Sequence, residues 1–409
     1  MTTRPLDGSE PLASRHIVLG VTGSIACYKA VDLASKLVQA EAVVDVALTP
    51  AATAFVTPLA FRSITGREPH TDMFRPNGEH GEAHVELARR ADLMLIAPAT
   101  ASTIARLAHG MADDFVSLTA LATQAPLLVA PAMDAQMWEH AATQANRALL
   151  EQRGVQFVGP AAGRLASGRM GAGRLVEPAD IVEHVKARLG RERGDLRGRR
   201  IVVTAGGNRE AIDPVRFIGN HSSGKQGYAI AQAARDRGAE VTLISTVALP
   251  TPAGVRAVPV SAHAEMFEAV REACRNADAL IMAAAVADYR PAGSATHKIK
   301  REGADRLTIE LVQNADIIAS IDEPRLIKVA FAAETDDLLA NAARKLRAKG
   351  ARLMVANDVS ATDAGFAVDT NRVAILDDRG GQEDLPLLSK YDVGMRILDR
   401  VGELLREVR

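Results

Sequence analysis

Short apolar runs alternate along nearly the whole chain with longer stretches in which apolar residues recur at the spacing of a helix face. In the first half, the short runs predict strands at residues 16–20, 43–48, 93–97, 127–130 and 156–158. In the second half, they predict strands at residues 201–204, 241–245, 279–283, 327–331, 353–356 and 373–376. Strands that alternate with helices form parallel sheets covered by helices on both faces, so the pattern predicts an α/β fold.

A charged, glycine-bearing segment, residues 190–199, separates the two halves of the chain. A helical pattern at residues 181–189 leads into it, and its composition is typical of a linker. The chain has 409 residues, which is more than one hydrophobic core of ordinary size holds. We therefore expect two doubly wound domains, residues 1–189 and 200–409, and no fixed-period repeat relates them.

The composition excludes several classes of partner. A formal net charge of −1 argues against general binding to nucleic acid or to a membrane surface. The two cysteines are isolated in sequence, which is typical of a reducing compartment. The polar first 15 residues lack the core of a signal peptide, and no apolar run approaches the length of a membrane helix. We expect a cytoplasmic protein that acts on small molecules.

Residues 201–228 are the most informative stretch. A β-branched run ends in Gly206-Gly207, a loop carrying Arg216 follows, and a helical pattern begins after it. A helix that opens after a glycine turn can hold an anion at its N-terminus. Residues 219–225 spell G-x-x-x-x-G-K, but Gln226 replaces the Ser or Thr of a P-loop, and a long loop separates the motif from its strand. We expect phosphate binding without a P-loop; an ordinary polar crossover loop is the alternative.

Three loops of small and hydroxyl-bearing residues follow predicted strands in the first half, at residues 20–25, 97–103 and 130–134. Doubly wound folds bind ligands at the carboxyl ends of their strands. Taken alone, these loops also fit ordinary turns, and the nearby Met133 and Trp138 fit core positions. His84 is a candidate acid or base, although most isolated histidines are structural or exposed to solvent.

Five ordered motifs in this half resemble the flavin-dependent cysteine decarboxylases, a flavodoxin-like family. They cover about residues 15–185 and read GVTGSIACYKA, HVELARRADL, APATASTIARLAHGMADDF, PAMDAQMWEHAATQAN and SGRMGAGR. The resemblance implies that FMN oxidises a cysteine thiol to a thioaldehyde, so that loss of CO₂ leaves an enethiolate instead of an unstabilised carbanion.

The resemblance also implies roles for individual residues. His84 would be the acid or base beside the thiol, and Met133 would contact the substrate. The residues implied to bind FMN are Gly23, Ser24, Ile25, Thr49, Ala99, Thr100, Ser102 and Thr103. Two implied catalytic positions depart from the family pattern: Asp134 stands where Asn is usual, and Ser167 stands where many members carry a proton-donating Cys. An ionised Asp cannot donate a hydrogen bond to a carboxylate, and a hydroxyl is a poorer acid than a thiol. We expect water or another group to replace the thiol as proton donor.

Further segments of the second half have the residue types of a nucleotide site. The small residues of the segment at 283–289 permit close approach of a flat base, and Asp288 within it can accept from ribose hydroxyls. Lys298 and Lys300 place two ammonium groups on one side of an extended segment. Lys345 and Lys349 share a helix face, although solvated surface charge is the commoner reason for such a pair.

The ordered motifs VTAGGNRE, DPVRFIGNHSSGKQGYAIA, AAAVADYRP, KIK, FAAET and ANDVS resemble phosphopantothenate–cysteine ligase over about residues 198–405. The resemblance implies a Rossmann-like domain that uses CTP and Mg²⁺ to form an acyl cytidylate, which the amine of cysteine then attacks. The metal ligands are unknown. Asn208 stands where Thr is commoner.

The resemblance implies three roles for single residues in the ligase reaction. Lys298 would neutralise charge developing at the α-phosphorus, Asn220 would polarise the acyl carbonyl, and Arg216 would lie near the phosphate of the acyl substrate. The residues implied to contact the nucleotide are Met282, Ala283, Ala284, Asp288, Lys298, Ala315, Asp316, Ile317, Ile318, Phe331, Lys345 and Lys349.

Together the halves resemble the bacterial bifunctional proteins of coenzyme A biosynthesis. That family implies trimers of the flavin domain and dimers of the ligase domain, which combine in assemblies as large as a dodecamer. Three alternatives remain. They are an active ligase with a degenerate, scaffolding flavin domain; a flavin-binding regulatory protein, although this chain lacks the acidic tail of such relatives; and a generic nucleotide-sugar or dinucleotide enzyme.

Overall fold

The computed structural model describes residues 10–74, 82–300, 307–334, 338–358 and 368–407. Its internal contacts divide the chain into two compact units, residues 1–189 and 190–409. Each unit is built around its own sheet. Within the described ranges, the helices are too short or too polar to cross a membrane.

The first unit contains a five-stranded parallel sheet of order β2-β1-β3-β4-β5, which is the flavodoxin order. The strands of this unit, including a separate hairpin of β6 and β7, are β1 His16–Val21, β2 Val43–Leu48, β3 Leu93–Ala99, β4 Leu127–Pro131, β5 Gln156–Phe157, β6 Ala161–Arg164 and β7 Met170–Arg174. Successive residues of β1 enter different cores, with Ile17 and Leu19 on one face and Val18 on the other. The sheet is therefore buried on both faces, as predicted.

Helices cover both faces of this sheet. They are α1 Cys27–Gln39, α2 Pro58–Thr65, α3 Ala83–Arg90, α4 Ala101–His109, α5 Phe115–Ala122, α6 Ala135–Glu139, α7 Ala141–Gln152 and α8 Pro178–Arg193. Helix α1 buries Leu33 and Leu37 in the core that contains Ile17. Helix α8 continues past Leu189 to Arg193, so the first part of the segment expected to be a linker is helical.

The second unit contains an eight-stranded sheet of order β12-β11-β8-β13-β16-β17-β19-β20. The strands of this unit are β8 Arg200–Ala205, β9 Arg209–Ala211, β10 Phe217–Gly219, β11 Glu240–Ser245, β12 Arg256–Pro259, β13 Ala279–Met282, β14 Tyr289–Pro291, β15 Leu311–Gln313, β16 Ile327–Glu334, β17 Leu353–Asp358, β18 Thr370–Asn371, β19 Val373–Asp377, β20 Gln382–Asp384 and β21 Leu388–Ser389. The first six strands of the order are parallel and follow the Rossmann arrangement.

The expectation of wholly parallel sheets is wrong for the last two strands. Strand β19 runs antiparallel to β17, and β20 runs antiparallel to β19. The short turn between β19 and β20 accounts for the second case, since a parallel pair would need a crossover of a dozen or more residues.

Helices of the second unit pack on both faces of its sheet. They are α9 Lys225–Asp236, α10 His263–Cys274, α11 Ile317–Ser320, α12 Leu338–Ala348 and α13 Lys390–Glu407. Ile230 of α9 and Ile397 of α13 pack in one core, whereas Met266 of α10 and Leu346 of α12 pack in the other. The sequence pattern predicted the long strands but missed four two-stranded sheets, which are β6–β7, β9–β10, β14–β15 and β18–β21.

Candidate functional sites

The turn after β1 is fastened to the loop after β3 by Thr22. This side chain is buried, and its Oγ1 donates to the carbonyl of Pro98 (2.7 Å) and accepts from the backbone N–H of Thr100 (3.0 Å). Strands β1 and β3 are neighbours in the sheet. Two of the three loops predicted to bind a ligand therefore meet at one point on the carboxyl edge of the sheet.

The implied FMN residues of the first turn lie beside the loop after β2. An added Cβ on Gly23 would stand 2.5 Å from the Cβ of Ala51, so only glycine fits there. Thr49 is buried and accepts from the backbone N–H of Ala52 (3.2 Å), whereas the side chain of Ile25 is 64% exposed. This edge of the sheet combines a close-packed backbone turn with an open apolar side chain.

Helix α4 begins within the loop after β3. Thr100 caps it by accepting from the backbone N–H of Thr103 (3.2 Å), and the two hydroxyl oxygens lie 3.1 Å apart. Ala99 is buried at the end of β3, and Ser102 is exposed in the first turn of the helix. These four implied flavin residues therefore lie together where β3 ends and α4 begins.

Asp134 and Ser167, the two departures from the family pattern, are in direct contact. Asp134 caps α6 by accepting from the backbone N–H of Gln136 (3.1 Å), and its second oxygen accepts from the Ser167 hydroxyl (2.7 Å). The hydrogen bond from Ser167 is the main reason that the pKa of Asp134 is lowered, and the Gln136 N–H and the charge of Arg169 act in the same direction. Asp134 is therefore ionised at neutral pH, and Ser167 keeps its proton and donates a hydrogen bond to it.

The hairpin of β6 and β7 lies against the loop after β4. The backbone N–H of Met133 donates to Gly173 (2.9 Å), and a Cβ on Gly173 would stand 2.2 Å from the Met133 carbonyl oxygen. Hairpin and loop border a cavity of about 610 Å³ that also contacts the first turn and α1. Its lining includes Ser24, Ile25, Tyr28, Met133, Asp134 and Ser167.

His84 lies at the start of α3 and is not among the residues that line this cavity. The same holds for Ala99, Thr100, Ser102 and Thr103. A single chain thus brings Ser24, Ile25, Met133, Asp134 and Ser167 to one cavity and leaves the candidate acid or base outside it.

In the second unit, the loops after β8 and β13 are joined by hydrogen bonds. The hydroxyl of Thr204 accepts from the backbone N–H of Ala284 (3.1 Å). The carbonyl of Gly206 accepts from the backbone N–H of Ala285 (2.8 Å). Gly207 packs on Asn220, whose carbonyl oxygen lies 2.5 Å from where a Cβ at position 207 would stand. The side chain of Asn220 is exposed at this junction.

Helix α9 starts immediately after Gly224, which has a φ of 76° and caps the helix. A Cβ on Gly224 would stand 2.4 Å from Val247 Cγ2, so a larger residue would displace the loop. A cavity of about 110 Å³ lies before this helix end. Its lining comprises Ser222, Ser223, Gly224, Gln226, Gly227, Ala283, Ala284, Ala285, Phe331, Ala332, Asn357, Asn371 and Lys390.

Several of these lining residues were not predicted as site residues. Asn357 lies at the carboxyl end of β17, one residue before its last, so the strand-end rule could have identified it. Lys390 begins helix α13, where the helix dipole disfavours a cation, and its side chain is nevertheless buried. Burial, and next the charge of Lys225, lower the pKa of Lys390 to about 8. Its burial is evident only in the folded structure, so the sequence carried no signal for this residue.

Asp213 organises the loop between β9 and β10, and no local sequence pattern predicted it as a site residue. Its inaccessible carboxylate pairs with the guanidinium of Arg216 (2.5 Å), which also donates to the carbonyl of Ile299 (3.1 Å). Asp213 further accepts from the backbone N–H of Ile299 (3.2 Å). The Arg216 contact is the first reason that the pKa of Asp213 lies far below its ordinary value. Arg216 and the exposed Lys298 are therefore held on neighbouring segments.

The remaining implied nucleotide residues lie around α11. Asp316 caps this helix by accepting from the backbone N–H of Ala319 (3.2 Å), and its other oxygen accepts from Lys349 Nζ (2.6 Å). Ile317 and Ile318 are buried in the core, which leaves only their backbone for contact with a ligand.

The other implied positions differ in how far they are exposed. Met282 is buried at the end of β13, Asp288 and Ala315 are exposed, and Lys345 is half-buried on α12. No group of three or more His, Cys, Asp or Glu side chains in the described part of the chain is arranged to hold a metal.

Both units match families of known proteins. The family model described as Flavoprotein matches residues 7–190, and that of the DNA/pantothenate metabolism flavoprotein C-terminal domain matches residues 196–405. The chain is similar to the coenzyme A biosynthesis bifunctional protein CoaBC of Vibrio vulnificus (strain YJ016), at 45% identity over 401 residues, or 97% of this chain and 99% of that protein. The CoaBC protein of Bacillus subtilis (strain 168) is 44% identical over 401 residues, or 97% of this chain and 98% of that protein. The crystal structure of a CoaBC C-terminal domain covers 53% of this chain and 100% of its own, at 39% identity and a TM-score of 0.46.

Proposed function

Since the chain belongs to the family of bifunctional coenzyme A biosynthesis proteins, we propose that its second unit joins 4'-phosphopantothenate to cysteine with CTP and that its first unit decarboxylates the product with FMN. The chain is a bifunctional enzyme with a flavoprotein decarboxylase unit and a ligase unit. The observation that carries the proposed ligation is the meeting of strand-end loops, a helix N-terminus and Lys390 at one edge of the second sheet.

The cavity before α9 suits part of a nucleotide. Its 110 Å³ is smaller than the roughly 300 Å³ of a typical ligand pocket, so the rest of the nucleotide would extend along the sheet edge. Ser222 and Ser223, the N–H groups that open α9, and Lys390 would hold phosphate oxygens. Ala283 and Ala284 leave room for the flat base beside Phe331. Asp288, which is exposed and does not line this cavity, would accept from the ribose.

The loop organised by Asp213 would carry the chemistry of ligation. Lys298 would stabilise negative charge that develops as the substrate carboxylate attacks the α-phosphorus, an electrostatic role that benefits from a fixed position. Asn220, at the glycine turn, would polarise the acyl carbonyl for attack by the amine. Arg216 would bind the phosphate of the acyl substrate, and Asp213 holds it in place.

Mg²⁺ would enter this site with the triphosphate of CTP. Magnesium sites of this kind use substrate phosphates and water with one or two carboxylates, which agrees with the lack of a preformed cluster among the described residues. The metal would offset charge on the leaving pyrophosphate.

The cavity of the first unit fits a flavin. The Gly23 turn has no room for a side chain and offers its backbone to a phosphate, while Ile25 and Tyr28 present exposed apolar surface to a ring system. Bound FMN would supply the reversible two-electron oxidation of the substrate thiol. Met133, which lines the cavity, would contact the substrate. Thr100 and Thr103 do not line it and would orient a part of the cofactor that extends beyond it, and His84, also outside it, would move the thiol proton.

One observation favours a second candidate function, an active ligase with a flavin unit that serves only as a scaffold. The ionised Asp134 cannot donate to a substrate carboxylate, and its partner Ser167 is a weak acid. Flavin-containing protein that ligates but releases no CO₂ would establish this alternative.

Assembly bears on the first unit in particular, because His84 lies outside the cavity of its own chain. We propose trimers of the flavin unit and dimers of the ligase unit, combined in assemblies as large as a dodecamer. Light scattering on the full chain and on a His84→Asn variant would measure the mass without depending on activity.

The direct test of the ligase is pyrophosphate release by the purified protein with phosphopantothenate and either CTP, ATP, GTP or UTP. We expect release with CTP and Mg²⁺ before cysteine is added, because the acyl cytidylate forms first. Release that requires another nucleotide, or none with CTP, contradicts the proposal.

A further inference from the structure

Asn208, which follows the glycine turn after β8, is a buried amide that bonds in two directions. The residue is 0% exposed. Its Oδ1 accepts from the backbone N–H of Ala287 (2.7 Å), and its Nδ2 donates to Glu210 Oε1 (2.5 Å). Since Ala287 precedes Asp288, this amide connects the glycine turn to the loop that would hold the ribose.

Glu210 continues the connection to helix α10. This carboxylate is buried, and its Oε1 also accepts from the backbone N–H of His263 (2.7 Å), the first residue of the helix. Ala262, which precedes the helix, supplies no side-chain cap. Glu210 therefore satisfies one of the N–H groups at the helix start and lies at the positive end of the helix dipole.

His263 completes the connection to the second nucleotide segment. Its Nε2 lies 2.8 Å from the backbone oxygen of Ala315. Because a carbonyl can only accept, Nε2 must carry the proton. Ala315 directly precedes Asp316, the residue that caps α11 and pairs with Lys349.

We propose that Asn208, Glu210 and His263 form a positioning network that fixes the loop of Asp288 relative to the loop of Asp316 for nucleotide binding. This inference rests on the nucleotide site proposed above and adds residues that do not touch the nucleotide themselves. The two loops are also linked directly, which supports the inference. Asn314 Nδ2 donates to the carbonyl of Ala287 (2.8 Å), and the backbone N–H of Asn314 donates to the carbonyl of Asp288 (2.8 Å).

The burial of the network makes its geometry strict. Its three side chains are at most 7% exposed, so water does not readily replace a lost partner. A buried polar group that loses its partner is costly, and neither loop can shift without leaving such a group. Nucleotide binding should therefore depend on the network more than binding of the acyl substrate does. The network bonds directly to the loops of Asp288 and Asp316, whereas it reaches Arg216 and Asn220 indirectly, through the pairing of β9 with β10.

The test uses two variants of the full-length, flavin-loaded protein, Asn208→Thr and Asn208→Val, whose new side chains have nearly the same shape as each other. A threonine hydroxyl can accept from one partner and donate to another, whereas valine can do neither. We expect Asn208→Val to raise the KM for CTP about tenfold or more, from the loss of buried hydrogen bonds, and to leave the KM for phosphopantothenate within about twofold. Asn208→Thr should keep the KM for CTP within about threefold of the wild type.

Pyrophosphate release and thermal melting of the same samples distinguish the outcomes. Two results refute the positioning role and leave the proposed ligation standing. One is an unchanged KM for CTP in Asn208→Val, and the other is a rise of both KM values together with a lowered melting temperature. A wild-type chain that releases no pyrophosphate with CTP refutes the proposed ligation and this inference with it. If Asn208→Val does not fold, His263→Gln and His263→Met decide in the same way, because glutamine retains an N–H donor near Nε2 and methionine does not.

Discussion

The two units join their first strand to its neighbour by the same device and then build their sites differently. In each, a threonine at the end of the first strand bonds to the next loop: Thr22 to the Pro98–Thr100 loop, and Thr204 to Ala284. Beyond that point, the ligase unit is braced by buried polar groups such as Asn208. The flavin unit instead leaves Ile25, which lines its cavity, 64% exposed, whereas the residues that line the cavity before α9 are buried or half-buried.

This difference bears on how each site becomes complete. Buried hydrogen bonds hold the ligase loops in place without a ligand. Exposed apolar side chains, in contrast, are the kind of surface that a bound ring system or a neighbouring subunit covers. We infer that a single chain presents a largely formed ligase site and a flavin site that depends on what covers it.

His84→Asn should have the largest effect and should act on one unit only. We expect CO₂ release to fall by about 10²- to 10⁴-fold, because a positioned acid or base is lost, while flavin absorbance and pyrophosphate release stay normal. His109→Asn, at the exposed end of α4, is the matched control. Normal CO₂ release from His84→Asn would remove this histidine from the reaction.

Lys298→Gln should affect the other unit. Loss of a fixed positive charge near the reacting phosphorus should lower pyrophosphate release by about 10²- to 10³-fold without changing flavin content. Lys300→Gln, on the same exposed segment, should lower pyrophosphate release by less than about tenfold. Lys300 lies two residues beyond Lys298, so we expect its charge to act on the reacting phosphorus from a greater distance. Equal effects of the two substitutions would mean that only the total charge of the segment matters.

Lys390 should give the proposed ligase site a pH dependence whose sign follows from its lowered pKa. Its pKa is lowered to about 8, chiefly by burial, so the ammonium that would bind phosphate is lost as the pH rises through that value. We expect the KM for CTP to rise between pH 7 and pH 9. In Lys390→Met, the KM should already be raised about tenfold at pH 7 and should not change further with this titration. Lys328→Met, on β16, is the control, and a pH profile equal to that of the wild type in Lys390→Met would exclude Lys390 from the site.

The same Lys390→Met substitution, which should weaken nucleotide binding, should raise the stability of the folded protein. A lysine whose pKa is lower in the folded state destabilises the fold while it is charged, so this cost is present below pH 8 and disappears as the pH rises toward 10.5. Without nucleotide at pH 7, Lys390→Met should therefore melt at a higher temperature than the wild type. At pH 10.5 or above, the difference should be small.

Ser167→Ala should have the smallest effect on turnover. Its hydroxyl donates to the ionised Asp134, so we expect the rate of CO₂ release at neutral pH to change by less than about threefold. The substitution removes the main cause of the lowered pKa of Asp134, so any acid limb due to Asp134 should move to higher pH. Ser63→Ala, whose hydroxyl bonds only within its own helix, is the control. A large loss of turnover would assign the proton-donor role to Ser167 after all.

The sequence predicted most of the two sheets because their strands are buried on both faces and appear as continuous apolar runs, as β3 does. It also located the loops after β1, β3, β8 and β13, since strand ends follow directly from strand positions. Short polar pairs such as β9–β10 have no such signal. Their positions depend on contacts between distant segments, of which Asp213 with Ile299 is an example.

The same reason explains which site residues the sequence missed. The importance of Asp213 and Lys390 comes from burial and from partners distant in sequence, and local spacing records neither property. The contact between Asp134 and Ser167 joins residues 33 positions apart, so two separate departures in the sequence prove to be one hydrogen bond in the structure.

The most direct test of two successive reactions on one chain is the release of labelled CO₂ from carboxyl-labelled cysteine by the purified protein. We predict that release requires both phosphopantothenate and CTP, begins after a lag behind pyrophosphate, and reaches one CO₂ for each pyrophosphate. Labelled CO₂ that appears without CTP, or pyrophosphate that accumulates while no CO₂ follows, would contradict the account.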